Sequence, residues 1–268
     1  MESKNDLLRE LANIEKWEKE QGKAGIWERI GRLPFQILDK LTPQWIHNKV
    51  GTLLEELGVY IQTGGKYLVN KNKLYKIIEK KTNRPIHSLS DVKRIPLQSM
   101  EEISRSVLES RKNFAAIQGA STGIGGIFTL AIDIPALLAV SLKTLQEIAI
   151  IHGYDPDEKS ERAFMIKVLQ FSLAETVSKR AILKELSDYG GGRADRVVSQ
   201  LKGWREVVYT FRDQFGWKKL FQVVPIAGMI FGAITNRTMI SDLSEAGVMF
   251  YRKRVILERL VHINKTTK

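Results

Sequence analysis

The chain has 268 residues, 43% of them hydrophobic, which is enough apolar surface for a substantial core and excludes a chain disordered along its length. It contains no cysteine, so disulfide frameworks, thiolate catalysis and zinc–thiolate sites are excluded. The formal charge of +12 is concentrated in two places: residues 66–112 hold twelve Lys or Arg against five acids, and residues 252–268 hold six against one.

The amino-terminal stretch MESKNDLLRELANIEKWEKEQ mixes charge with apolar residues at helical spacing and lacks the uninterrupted apolar run of a secretory signal. That points to a cytoplasmic protein. Thr42-Pro43 offers an N-cap with proline at the first helical position. A basic helical segment follows over 66–112, within which Ser99 and Glu102 have the spacing of a capping box ahead of Ile103, Val107 and Phe114. Asp155-Pro156-Asp157-Glu158 predicts a helix that starts there and runs towards Tyr189, with Asp155 as cap and the acids at the positive helix end. Gly190-Gly191-Gly192 stops it. A further helix is expected from Ala194 to about Phe215, an apolar segment from Lys218 to about Thr235, and a last helix with a basic end from about Thr238 to His262. Period-two alternation is hard to find, so the expected fold is all-α. It is read as a multi-helix globular bundle over 1–268 as one domain, with a central apolar, glycine-patterned helix pair drawn from segments 114–142 and 220–235.

Those two apolar segments raise the question of a membrane. A spanning helix needs about 20 mostly apolar residues. Ile124 to Leu142 supplies nineteen, but Asp133 sits near the middle and Pro135 just after it, and a central Asp costs roughly 2.5 to 3.5 kcal/mol on insertion. Leu220 to Thr235 is shorter and holds Pro225. Gly119 and Gly123 lie four apart, as do Gly228 and Gly232, a spacing that lets helix backbones approach closely in a bundle core or in a membrane hairpin. The internal Asp and Pro favour the bundle core. Asp133 itself reads in two ways: as the cap of a new helical segment starting at Pro135, or as a buried carboxylate that awaits a cation, a headgroup or a partner's Lys or Arg.

Gly119-Ala120-Ser121-Thr122-Gly123-Ile124-Gly125 imitates the cofactor loop of short-chain dehydrogenases. The imitation fails on context, because no first β-strand precedes it and no acid sits about twenty positions on at a second strand end. Nor does the loop end in the Gly-Lys-Ser or Gly-Lys-Thr of a P-loop. His47, His87, His152 and His262 are widely separated and show no metal-ligand spacing, and no Gly-x-Ser-x-Gly elbow exists. No catalytic residue, cofactor or metal is therefore assigned. His152 reads as part of a helix-to-helix turn.

The basic zones suit an anionic partner. Lys71, Lys73, Lys76, Lys80 and Lys81 are interleaved with apolar residues so that one helix could lay a cationic face on a membrane while burying the other. Arg252, Lys253 and Arg254 would supply a second anchor. Nucleic acid would also satisfy such charge, yet no helix-turn-helix, zinc finger or RNA-recognition pattern is present, so membrane or protein contact is the favoured reading.

Several runs together resemble the EcsC family of bacterial proteins. They are Ile14-Glu15-Lys16-Trp17-Glu18, Leu41-Thr42-Pro43, Gly119 to Gly126 with Gly125 inside it, Asp133-Ile134-Pro135-Ala136-Leu137-Leu138, Ile148-Ala149, Gly153-Tyr154-Asp155-Pro156 and Glu161-Arg162. Where that family usually shows Tyr-Gly-Tyr-Asp, this chain has His152-Gly153-Tyr154-Asp155. The family name comes from a gene neighbouring the ATPase and membrane subunits of a bacterial ABC transporter. The resemblance implies a mainly helical bacterial protein near the membrane and implies no established enzymatic activity, cofactor or catalytic residue; with the basic zones, the expectation is a non-enzymatic accessory protein on the inner face of the cell membrane or on a membrane complex such as that transporter. Its marked positions Gly119, Gly123, Gly125, Gly126, Asp133, Pro135, Tyr154, Asp155, Glu161 and Arg162 are the candidate binding or structural residues. The rival expectation is a small-ligand or lipid-processing protein with a helical cavity around Asp133, Tyr154, Asp155 and Glu161.

Overall fold

The computed structural model describes residues 2–21, 59–60, 63–64, 69–123, 130–174, 176–188 and 225–266. Eight helices and no strand are found among them: α1 (Lys4–Gln21), α2 (Lys71–Thr82), α3 (Leu89–Lys93), α4 (Leu97–Gly123), α5 (Leu130–Ile151), α6 (Lys159–Leu173), α7 (Thr176–Asp188) and α8 (Pro225–Thr266). The all-α bundle expected from the sequence is what forms. The expected helix starts at Thr42, the Gly190-Gly191-Gly192 stop and the helix from Ala194 lie outside the described residues, as do Gly125 and Gly126.

α8 is the spine. Its 42 residues make a rod of about 63 Å, and it absorbs the second apolar segment into what the sequence suggested was a separate final helix. The polar run Asn236-Arg237-Thr238 looks like a break but is helical, because Arg237 reaches across to Glu109 at 3.1 Å and to Asn113, while Asn236 is buried. α4 packs along α8 in the antiparallel sense, as Arg237 meets Glu109, Arg252 meets Glu101 and Arg259 meets the Ile95 carbonyl. α1 lies antiparallel on another flank, with Glu2 on Arg259, Glu10 on Arg252 and Trp17 donating to Glu245 at 2.7 Å. Trp17, Phe171 and Phe250 meet edge-on or tilted at 5.0 to 5.9 Å and join α1, α6 and α8 through one aromatic cluster.

The most enclosed helix is α6, buried on nearly every side despite carrying Glu161, Arg162 and Lys167. It lies against α5, α7 and α8. Towards the end of α4 and the start of α8, Phe114, Ile117 and Ile234 stand exposed. Among the described residues no helix is long and apolar enough to cross a membrane.

Three local expectations are corrected. Ser99 does not cap α4, which begins at Leu97 with its amide donated to Glu2 Oε1 at 2.6 Å, so a long-range carboxylate does the work of a local cap. Asp155 does not cap α6 either. Its Oδ1 takes the Asp157 amide at 2.9 Å and the Lys71 ammonium at 2.6 Å, and the helix starts four residues on, at Lys159. That helix then stops at Leu173, where Ala174 is extended, and α7 continues as a separate element.

The turn between α5 and α6 has one obligatory glycine. The Gly153 amide donates to the Ile150 carbonyl and the Tyr154 amide to the Ala149 carbonyl, both at 2.9 Å, the paired bonds of a Schellman ending. Gly153 has φ +83°, and a Cβ there would fall 2.4 Å from Lys93 Cγ on α3. Gly153→Ala therefore meets both a left-handed backbone and a collision, and should lower stability by about 2 kcal/mol, or roughly 4 to 8 °C in Tm. Thermal unfolding followed by circular dichroism measures it; an unchanged Tm would mean that the turn tolerates a side chain.

Candidate functional site

The turn that Gly153 makes possible delivers His152, Tyr154, Asp155 and, one helix start later, Glu161 and Arg162 to a single region against α8. On α8, Tyr251, Arg254 and Glu258 recur at helical spacing and face them. Glu161 is the hub. Its Oε1 accepts from the Tyr251 hydroxyl at 2.6 Å and from Arg254 Nη1 at 2.6 Å, while Oε2 accepts from Arg254 Nη2 at 2.9 Å. The guanidinium is thus held by both oxygens in a planar fork, and its open face lies 3.9 Å from the Tyr154 ring centroid and 4.4 Å from that of Phe164. The Glu161 side chain is 5% exposed and that of Arg254 is 17%.

This burial sets the protonation states. Burial opposes the Arg254 charge, but Glu161 more than offsets it and holds the guanidinium pKa above its ordinary value. Tyr251 is pushed well up by burial and by the Glu161 carboxylate beside it, and Tyr154 is pushed up by burial, so both stay protonated donors. The Tyr154 hydroxyl donates a hydrogen bond to Glu258 at 3.0 Å. Behind the hub, Tyr60 is fully buried, receives a bond from Gln146 Nε2 at 3.3 Å, and is likewise raised by burial.

His152 differs from its neighbours. It is wholly buried, its Nδ1 lies 2.7 Å from the Ile148 carbonyl and so carries the proton, and its Nε2 has no partner among the described residues. Burial pushes the imidazole down to about 4, opposed by the Ile148 carbonyl and assisted by the charges of Arg252 and Arg259. An acceptor buried without a donor costs about 1 to 3 kcal/mol.

The remaining candidates separate from this hub. Asp155 pairs with Lys71 at 2.6 Å, and Asp157 takes the same ammonium at 2.5 Å. Lys71 is thus a strut between α2 and the turn; burial acts against its charge, but the two carboxylates raise its pKa. Arg162 donates to the Asp157 carbonyl and closes the turn. Gly119 and Gly123 lie in the last turn of α4. Asp133 and Pro135 lie on helical backbone inside α5, which is continuous from Leu130, so no new helix starts at Pro135 for Asp133 to cap. Eighteen residues of helix put Asp133 about 27 Å along the axis from Ile151, so it cannot share one cavity with Tyr154 and Glu161.

The proposed second anionic contact is also corrected. Arg252 is bound by Glu10 at 2.7 Å and Glu101 at 3.2 Å, Lys253 by Glu18 at 2.8 Å, and Arg254 by Glu161. All three face acids of neighbouring helices, because the spine needs cations wherever α1, α4 and α6 present carboxylates. The basic run that looks like a surface anchor in the sequence is an internal set of ties. What the sequence reading missed, the partners Tyr251 and Glu258, was marked by their spacing of three and four residues from Arg254.

The profile of the EcsC protein family matches residues 8–256, which take in the turn, the hub and most of the spine. The chain belongs to the EcsC family. It is 54% identical over 261 residues to a Bacillus subtilis (strain 168) protein titled "Uncharacterized protein YdbA", with 97% of this chain and 96% of that one covered. It is 26% identical over 168 residues to "Protein EcsC" of the same organism, covering 63% of this chain and 69% of the other. No solved structure matches. For this EcsC-family chain the family-marked residues Tyr154, Asp155, Glu161 and Arg162 fall at one turn, where each has an internal partner.

Glu161→Gln leaves Arg254 charged and underpaired in the interior and should destabilise by about 3 to 5 kcal/mol in urea unfolding. Arg254→Lys should not restore the loss seen in Arg254→Met, because an ammonium cannot bridge both oxygens; full recovery by lysine would show that charge alone suffices. The His152 imidazole adds a pH dependence. Its unfolded value is about 6.5 and its folded value about 4, so the unfolded chain binds the extra proton between them. Its contribution is complete above about pH 6.5 and is lost as pH falls towards 4, in total about 3 kcal/mol. His152→Phe should flatten that part of the stability–pH curve, and an unaltered slope would contradict a buried neutral imidazole.

Proposed function

We propose that this protein is a non-enzymatic helical accessory protein that attaches peripherally to an anionic membrane surface through α2. The observation that carries the reading is the outer face of that helix. Lys73, Lys76 and Lys80 recur at intervals of three and four, with Ile77 between them and Lys81 alongside, and all are exposed. None of the four lysines makes an ion pair among the described residues, unlike Lys71 and unlike Arg252 and Lys253 of α8. The opposite face, Leu74 and Ile78, is buried in the core.

The helix is well fixed for this task. Asn70 caps its start by accepting the Lys73 amide at 3.1 Å, and Lys71 ties it to Asp155 and Asp157, so the lysine face is presented on a rigid support. Each Lys close to an anionic bilayer contributes about 1 kcal/mol, and Ile77 adds an apolar contact at headgroup depth. Four such charges give reversible, salt-sensitive attachment. A membrane complex with an acidic face, such as the ABC transporter that the family resemblance implies, would meet the same helix, whereas nucleic acid has no groove-reading element to engage among the described residues.

Flotation with vesicles tests this reading. The protein should float with vesicles containing phosphatidylglycerol, remain in solution with phosphatidylcholine alone, and be released as salt rises from about 0.1 M to about 0.5 M. The triple variant Lys73→Glu, Lys76→Glu, Lys80→Glu should lose flotation while keeping its helical spectrum. Binding to neutral vesicles of equal strength, or full retention by the variant, would contradict it, and retention of native membranes but not vesicles would move the partner from lipid to a membrane protein.

A further inference from the structure

Beside the Glu161 hub lies a pocket of about 410 Å³, between the start of α1, the end of α3, the α5 turn and the last third of α8. Its size suits a small ligand.

The charges of the lining are unequally committed. Arg259 is tied by Glu2 at 2.6 Å and by the carbonyls of Lys93 and Ile95 at 3.0 and 2.7 Å. Glu258 takes the Tyr154 hydroxyl and faces the Lys93 ammonium at 3.6 Å. Arg94 is different, since its exposed guanidinium makes no hydrogen bond or ion pair among the described residues. Leu7 and Val255 supply an apolar wall.

At the floor is His152. With Nδ1 turned back onto Ile148, Nε2 on the far side of the ring is a bare lone pair, buried and unpartnered among the described residues. A neutral imidazole in that state accepts a hydrogen bond and cannot donate one. Arg94, by contrast, can only donate. Lys93 also lines the pocket; its side chain is half exposed and lies against Gly153, the residue after His152.

We propose that this pocket binds a small hydroxyl-bearing organic phosphate, its hydroxyl donating to His152 Nε2, its anionic group on Arg94 and its carbon skeleton against Leu7 and Val255. The chemistry is that of glycerol phosphate, which occurs free and as the headgroup of a glycerophospholipid. No bond is made or broken in the pocket. The site is separate from the lysine face of α2 and does not depend on the attachment proposed for it.

The test uses the full chain with ¹⁵N-labelled histidine in solution, without vesicles, the His152 signal being assigned with His152→Gln. Glycerol 3-phosphate, or short-chain phosphatidylglycerol below its micelle concentration, should move the His152 Nε2 resonance upfield in a saturable way. A response to the first identifies a free metabolite, and a response to the second alone identifies a lipid headgroup. Arg94→Gln, a surface change that leaves the fold intact, should weaken binding about tenfold, as expected for loss of one charge-assisted contact. The proposal is overturned if neither compound moves that resonance, if inorganic phosphate moves it equally, or if Arg94→Gln binds as tightly as the unaltered chain.

Discussion

One buried carboxylate organises the described structure. Glu161 sits in the first turn of the most enclosed helix, and leaving its charge there uncompensated would cost several kcal/mol. Compensation comes from Arg254 and Tyr251, which fixes the rotation and register of α8 against α6. With that register fixed, Arg252 points to α1 and α4, Lys253 to α1, and Glu258 back to Tyr154 in the turn. The aromatic rings around the guanidinium then fill the space between the helices, so charge, ring packing and helix register form one interdependent arrangement.

The same requirement divides the protein's positive charge into two kinds. On α8, Arg237, Arg252, Lys253, Arg254 and Arg259 are paired with acids from elsewhere in the chain, and a mainly apolar spine is thereby fastened to α1, α4 and α6. On α2 the lysines of the outer face have no such partners among the described residues and stay in solvent. A helix whose inner face is anchored by Leu74, Ile78 and Lys71 while its outer face carries Lys73, Lys76 and Lys80 against one exposed acid, Glu79, is suited to a partner of opposite charge.

The sequence made the fold class legible because helical periodicity is strong and strand alternation is lacking, and the family-marked turn was visible in His152-Gly153-Tyr154-Asp155. It hid what depends on long-range pairing. Ser99 had the right spacing for a cap, but Glu2, ninety-five residues from Leu97, caps the helix instead. Asn236-Arg237-Thr238 looked like a boundary, since nothing local shows that Glu109 and Asn113 would receive Arg237. Arg252-Lys253-Arg254 looked like a surface patch for the same reason: its acids lie on α1, α4 and α6, and composition alone cannot distinguish a solvated cation from one already paired. The isolated Asp133, which seemed the most telling residue of the apolar stretch, lies on an unbroken helix well away from the hub.

A double-mutant cycle on Glu161 and Arg254 tests the central claim most directly. Glu161→Met and Arg254→Met should each be strongly destabilising in urea unfolding, whereas the double variant should recover most of the loss, for a coupling of about 3 kcal/mol. Additive losses, with no recovery in the double variant, would show that the pair does not hold α8 in register and that packing alone does.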